Sequence, residues 1–199
     1  MKIGLTYNLR SDYIPFSNEP HDLYAEFDSE ETIESIKKAL EDLGHHVILI
    51  GDARRLIPFL SSSEIDIVFN IAEGLEGRSR EAQIPAMLEA FRIPYVFSDP
   101  LTLSVSLDKV MTKRIMKTEG VPTPEFMAVE EISDLNGCMP FPLFVKPSHE
   151  GTAKGIDPSC LVRDLPSLHQ VVKRILYMYK QPVLVERYLP GDEYTVGIV

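Results

Sequence analysis

From Lys146 to Gly155 the chain runs Lys-Pro-Ser-His-Glu-Gly-Thr-Ala-Lys-Gly, a lysine closing an apolar stretch and then a polar loop that holds Gly151 and Gly155. Glycines let a backbone turn its N–H groups toward an anion, and the Thr152 hydroxyl and Lys154 ammonium between them would add donors. By itself the segment reads equally as a solvated loop with two turn glycines. Three other places offer matching chemistry. Lys146 ends the apolar run 141–145, and open α/β architectures bind ligands at the carboxyl ends of their strands. The plain alternative is a lysine snorkelling out of a strand end. Lys109 follows Asp108, which would cap a helix and leave the lysine in its first turn, a poor place for a cation unless an anion sits there too. The run Val183-Leu-Val-Glu-Arg-Tyr-Leu-Pro-Gly-Asp-Glu-Tyr194 carries a strand to Glu186, a short hinge through Arg187, Tyr188 and Leu189, and a turn at Pro190-Gly191. Backbone groups at the hinge could pair with a purine edge, and Glu193 could accept from ribose hydroxyls. The alternative there is a β-turn with solvated acids.

Something must position these groups. Residues 3–7, 47–50, 65–71 and 93–97 read as strands. Between them lie helical patterns at 28–43, with Asp28 or Ser29 as cap, Glu31 behind it and Gly44 as stop, then at 54–60 and at 80–92. Strands alternating with helices at this spacing predict an open parallel sheet covered on both faces. The stretch 9–27, with Pro15, Pro20 and several acids, is an unusually long irregular insertion. Beyond Ser98-Asp-Pro100 the character changes. Helices are expected at 101–107, 108–118 and 166–180, the last capped by Asp164. Strands are expected at 126–129, 141–146, 183–187 and 193–199, with Pro147 ending the ladder. The predicted architecture is α/β: a Rossmann-like domain over 1–99, an α+β subdomain over 100–187, and the beginning of another over 188–199.

Totals exclude several classes. The 199 residues suffice for one large or two small domains, and 44% apolar with 25% charged residues is an ordinary globular composition. A net charge of −10 argues against nucleic acid or anionic membranes as partners. Cys138 and Cys160 stand far apart in no metal-type spacing, which suits idle thiols in a reducing compartment. The first residues turn polar too soon for a secretory signal. A cytoplasmic protein is expected.

Glu73-Gly74, Ile93-Pro-Tyr95, Ser106-Leu-Asp-Lys109, Gly120-Val-Pro-Thr-Pro124, Phe144-Val-Lys-Pro147, Glu150-Gly-Thr-Ala-Lys-Gly155 and the Leu184–Glu193 run occur in that order. Together they resemble the D-alanine–D-alanine ligase branch of the ATP-grasp superfamily, from about residue 67 to the end and more faintly back to Ile3. The resemblance implies a pre-ATP-grasp domain followed by an ATP-grasp subdomain, and a carboxylate–amine ligase using ATP and Mg2+. Lys109 and Lys146 would contact the α- and β-phosphates. Glu150, Gly151, Thr152, Ala153 and Gly155 would close over the γ-phosphate. Glu186, Arg187, Tyr188 and Leu189 would frame the adenine, and Glu193 the ribose. Glu73, Gly74 and Arg80 would lie toward an amino-acid-like substrate. The resemblance leaves a homodimer open.

The chain also departs from the family. Thr152-Ala153 replaces two serines, Glu73 stands where many ligases have histidine, and Glu26 or Asp28 only approximate the glutamate that holds the first amino group. These differences leave open a ligase with other amino-acid or peptide substrates. The family's metal ligands lie past the hinge, so they are expected beyond Val199. The run Val196-Gly-Ile-Val199 ends mid-pattern, and on that reading the chain alone is an inactive fragment. A non-catalytic module that binds a nucleotide or a partner is the remaining alternative.

Overall fold

The computed structural model describes residues 1–14, 19–62, 64–135 and 139–197. The chain divides into two compact units, Met1–Thr112 with His149–Lys154, and Lys113–Ser148 with Gly155–Val199. The expected features at Pro15 and Cys138, and residues 198–199 of the last expected strand, lie outside the described residues.

The first unit is built on β1 (Lys2–Thr6), β2 (His46–Gly51) and β3 (Ile67–Asn70), a parallel sheet ordered β2-β1-β3. Side chains alternate faces along a strand, and the core follows that rule. Leu5, Val47 and Phe69 point to one face, under α1 (Glu30–Asp42) with its Ile33, Ile36 and Leu40. Ile50 and Val68 point to the other, beneath Leu56 of α2 (Ala53–Leu56) and Ile84 and Leu88 of α3 (Gln83–Ala90). The cap of α1 is Ser29, whose hydroxyl accepts from the Thr32 N–H at 3.1 Å, and Gly44 follows its end with φ +83°.

Two expectations change here. Residues 93–97 do not form a full strand. Val68 donates to the Pro94 carbonyl and Val96 to the Val68 carbonyl, both at 2.9 Å, and the ladder stops at that one bridge. Pro94 has no N–H to extend it, and Phe97 turns the chain away at φ +78°. The helix expected from Arg80 begins as a 3-10 turn over Arg80–Ala82 and becomes α-helical only at Gln83. Next come α4 (Pro100–Leu107) and α5 (Lys109–Thr118), separated by Asp108, whose carboxylate accepts from the Met111 N–H at 3.0 Å.

The second unit is an antiparallel sheet ordered β4-β7-β5-β6, made of β4 (Phe126–Val129), β5 (Leu143–Pro147), β6 (Leu161–Val162) and β7 (Val183–Arg187). Leu143, Val145, Val183 and Val185 cover one face and pack with Leu168, Val171, Val172 and Ile175 of α6 (Leu165–Tyr179). Asp164 caps α6 through the Ser167 N–H at 2.8 Å. Pro147 itself pairs with Val183 and the ladder ends there, so β5 runs one residue past the expected 146. The proline is accommodated because β6 pairs only Leu143 and Phe144, so no strand needs a donor on its other side. The two-residue β6 was not expected. The strand expected over 193–199 is absent among the described residues, where 192–197 are exposed and in no ladder. A strand exists only through a paired neighbour, and β7 already has β4 and β5 on its two sides.

No described helix is long and apolar enough to cross a membrane.

Candidate functional site

The polar face of the second unit's sheet follows from register. Phe144 and Phe126 both pair with Glu186, and Lys146 pairs with Leu184. Alternation therefore sets Phe126, Phe144, Lys146 and Glu186 on the face opposite the valine core. Glu186 is 9% exposed. Its Oε1 takes the Lys146 ammonium at 2.5 Å and its Oε2 the Lys113 ammonium at 2.7 Å. Burial alone would raise the Glu186 carboxyl, but the two lysines outweigh it and hold it below its ordinary value. The group carries one net positive charge. Its Lys146 and Glu186 line a cleft of about 410 Å³ together with Phe144, Arg187, Tyr188, Leu189 and Glu193. The Tyr188 N–H donates to the Pro142 carbonyl at 3.2 Å, which removes it from the donors that could meet a base edge. Gly155 also belongs to this unit. With φ +74°, a Cβ on it would lie 2.6 Å from Pro147 Cγ, so only glycine fits where the loop returns to β5.

The rest of the loop lies with the first unit, and its groups are already engaged. The Gly151 N–H donates to Glu26 Oε1 at 2.5 Å, and the Lys154 ammonium reaches Glu26 at 3.1 Å and Glu150 at 2.5 Å. Arg80 donates to both Glu26 oxygens at 3.0 and 2.8 Å, to Glu150 at 3.3 Å and to the His149 carbonyl at 2.7 Å. Lys109 donates to the Glu150 carbonyl. Thr152 and Ala153 both hold positive φ, +46° and +57°, a conformation non-glycine residues rarely adopt. Burial would raise Glu26, yet Arg80 and Lys154 prevail and keep it ionised below its ordinary range.

Beside this network Glu26, Glu73 and Glu81 bring carboxylate oxygens within 4.8 Å of one another. They line a hollow of about 330 Å³ with Asn70, Phe97 and Leu103. Burial, then Glu81 and Glu26, push Glu73 up to about 7. Burial raises Glu81 as well. Gly74, at φ +75°, makes the turn after Glu73 possible. A Cβ there would sit 2.5 Å from the Arg80 carbonyl oxygen, while the Gly74 N–H donates to Asn8 Oδ1 at 2.9 Å.

The structure therefore assembles two sets. Lys146, Gly155, Glu186, Arg187, Tyr188, Leu189 and Glu193 fall in the second unit, and Glu73, Gly74, Arg80, Lys109, Glu150, Gly151, Thr152 and Ala153 in the first. Sequence reasoning missed Lys113 and gave Glu26 only a stand-in's part. Lys113 lies one helical turn after Lys109, a spacing that sets both on one helix face. Glu26 gave no local signal, because its partners are distant in sequence.

Residues 115–199 match the family described as D-ala D-ala ligase C-terminus. A D-alanine–D-alanine ligase of Synechococcus is 35% identical over 177 residues, covering 84% of this chain and 53% of the ligase. Among solved structures, the D-alanine–D-alanine ligase of Bacillus anthracis matches with a TM-score of 0.69 at 22% identity, over 96% of this chain and 58% of that one. The same enzyme complexed with ATP matches at 0.65. The fold is thus that of these ligases, and the chain spans about half the length of the curated relatives it matches.

Proposed function

Because the chain is a relative of the D-alanine–D-alanine ligases, we propose that it provides the nucleotide cleft and part of the amino-acid site of an ATP-dependent carboxylate–amine ligase. The observation that carries this reading is the Lys113–Glu186–Lys146 group, whose Lys146 and Glu186 line the cleft. It offers a positive charge in a half-enclosed, partly apolar site, where charge acts more strongly than in water. A nucleotide fits that chemistry: phosphate oxygens at Lys146, the base along Phe144 and Leu189, the ribose at Glu193.

In the proposed reaction a carboxylate oxygen attacks the γ-phosphorus, ADP departs and an acyl phosphate forms. An amine nitrogen then attacks the acyl carbon, phosphate leaves, and the amine's surplus proton goes to solvent or a nearby base. The protein's part is positioning and charge neutralisation. Lys109 and Lys146 serve the α- and β-phosphates, and the loop from Glu150 to Gly155 serves the γ-phosphate. For the loop to do so, the Gly151 N–H must leave the Glu26 carboxylate, which now fills the place of an anion. Magnesium would shield phosphate charge when bound. The cleft, with its Lys146 ammonium, fits phosphate oxygens rather than a metal ion, so no step is assigned to the metal. The substrates are amino-acid-like, and the location is cytoplasmic.

The test is ADP formation by the intact protein with candidate amino acids, with and without an amine acceptor. Lys146→Met should weaken ATP binding by about tenfold or more. ATP binding that survives the substitution unchanged would overturn the assignment. Binding without ADP formation under any substrate pair would favour a nucleotide-binding module.

A further inference from the structure

We propose that Lys113 is a positioning residue for phosphate binding: it holds Glu186 fixed and charge-compensated, so that the Lys146 ammonium can pass from Glu186 to an incoming phosphate. The inference rests on the nucleotide reading of the cleft. Lys113 cannot itself reach a ligand. Its residue is 8% exposed, its ammonium donates to Thr123 Oγ1 at 2.6 Å and to Glu186 at 2.7 Å, and the Phe126 ring centroid lies 5.3 Å away. Hydroxyl, carboxylate and aromatic face hold it on three sides. Lys146 differs: its side chain is 23% exposed and lines the cleft.

The division of labour follows from the cost of a buried, unpaired charge. A buried carboxylate deprived of its partner is strongly unfavourable. Were Lys146 the only cation on Glu186, each phosphate that drew Lys146 away would strand that carboxylate. The anion would then bind against that penalty. With Lys113 on Oε2, Glu186 stays paired whichever way Lys146 turns. Lys113 therefore acts on the phosphate without touching it, and its effect should appear only with ligands that carry one.

That restriction makes the test. Dissociation constants for ADP and for adenosine are measured calorimetrically at fixed salt for the intact protein and for Lys113→Met, Lys113→Arg, Glu186→Gln and the Lys113→Met/Glu186→Gln double variant. Lys113→Met should weaken ADP on the order of tenfold or more and adenosine by less than about threefold. Lys113→Arg should keep most of the preference for ADP. In the Glu186→Gln background no carboxylate remains to compete for Lys146, so adding Lys113→Met should leave the ADP-to-adenosine ratio unchanged. Equal losses for both ligands would show a purely structural lysine and overturn the proposal, as would the same ADP loss in the Glu186→Gln background. If Lys113→Met does not fold, the comparison within that background decides alone, because it buries no lone carboxylate. A wild-type protein that binds neither ligand would instead overturn the nucleotide reading, and this inference with it.

Discussion

The sharpest consequence of the first unit's electrostatics concerns Glu73. Its carboxyl is pushed from 4.5 up to about 7 by burial and by the neighbouring Glu81 and Glu26, with Arg80 opposing. A carboxyl whose folded value is raised binds its proton more tightly in the native state than in the unfolded chain. Stability is therefore full below pH 4.5 and falls as the pH rises toward 7, the reverse of a salt-bridged acid. The full shift corresponds to about 3 kcal/mol. Partial exposure and the shared titration with Glu81 reduce it, and about 1–2 kcal/mol is the expected loss. Glu73→Gln removes the titration while keeping the shape. Its stability should match wild type near pH 4 and exceed it at pH 8 by about 1–2 kcal/mol, or roughly 2–8 °C in Tm. Urea and thermal unfolding followed by circular dichroism across pH 4–8 would measure this, with a carbon-13 titration of the Glu73 carboxyl as direct check. A stability difference that does not change with pH, or a carboxyl titrating near 4.5, would refute the reasoning.

Arg80→Met would leave Glu26 and Glu150 with Lys154 as their shared cation and should cost about 3–5 kcal/mol in chemical denaturation; a loss under 1 kcal/mol would mean that water compensates those carboxylates. Gly74→Ala forces a Cβ to within 2.5 Å of a backbone oxygen at positive φ and should lower Tm well beyond Gly44→Ala, where no atom lies within 4 Å of the added Cβ. The latter should cost about 1 kcal/mol for its backbone conformation alone, and equal losses at both sites would remove the steric argument. Asp164→Ala deletes the cap of α6 and should cost about 1 kcal/mol, visible as an earlier urea midpoint.

What the sequence made legible was periodic or local. The α1 and α6 faces, the caps Ser29, Asp108 and Asp164, and the strands at 126–129 and 183–187 follow from spacing and from single residues with one mechanism each. Misreadings occurred where a neighbour decides. Residues 93–97 and 193–197 are apolar or alternating enough for strands, but a ladder needs a second chain segment at the right distance, and composition does not report that. Pro147 closes β5 while still pairing with Val183, since a missing donor matters only if a strand stands opposite it.

The site divides along the same line. Lys146, Glu186 and Glu193 were visible because each sits at a strand end or turn with its own signature. Glu26 and Lys113 were not, because each owes its role to charge balance in three dimensions, and Arg80 came only through the family resemblance. That balance also separates the two networks. Around Glu26 and Glu150, the ion pairs of Arg80 and Lys154 match two carboxylates with two cations. Such a cluster holds the loop in place, and a further anion gains there only when the Gly151 N–H leaves the Glu26 carboxylate. Around Glu186, two cations share one carboxylate, and the surplus charge faces an open cleft. In a chain of net charge −10, this surplus is held where the alternation of β5 and β7 shields it on one side and leaves it open on the other. An anion gains there because the protein has left one of its own out.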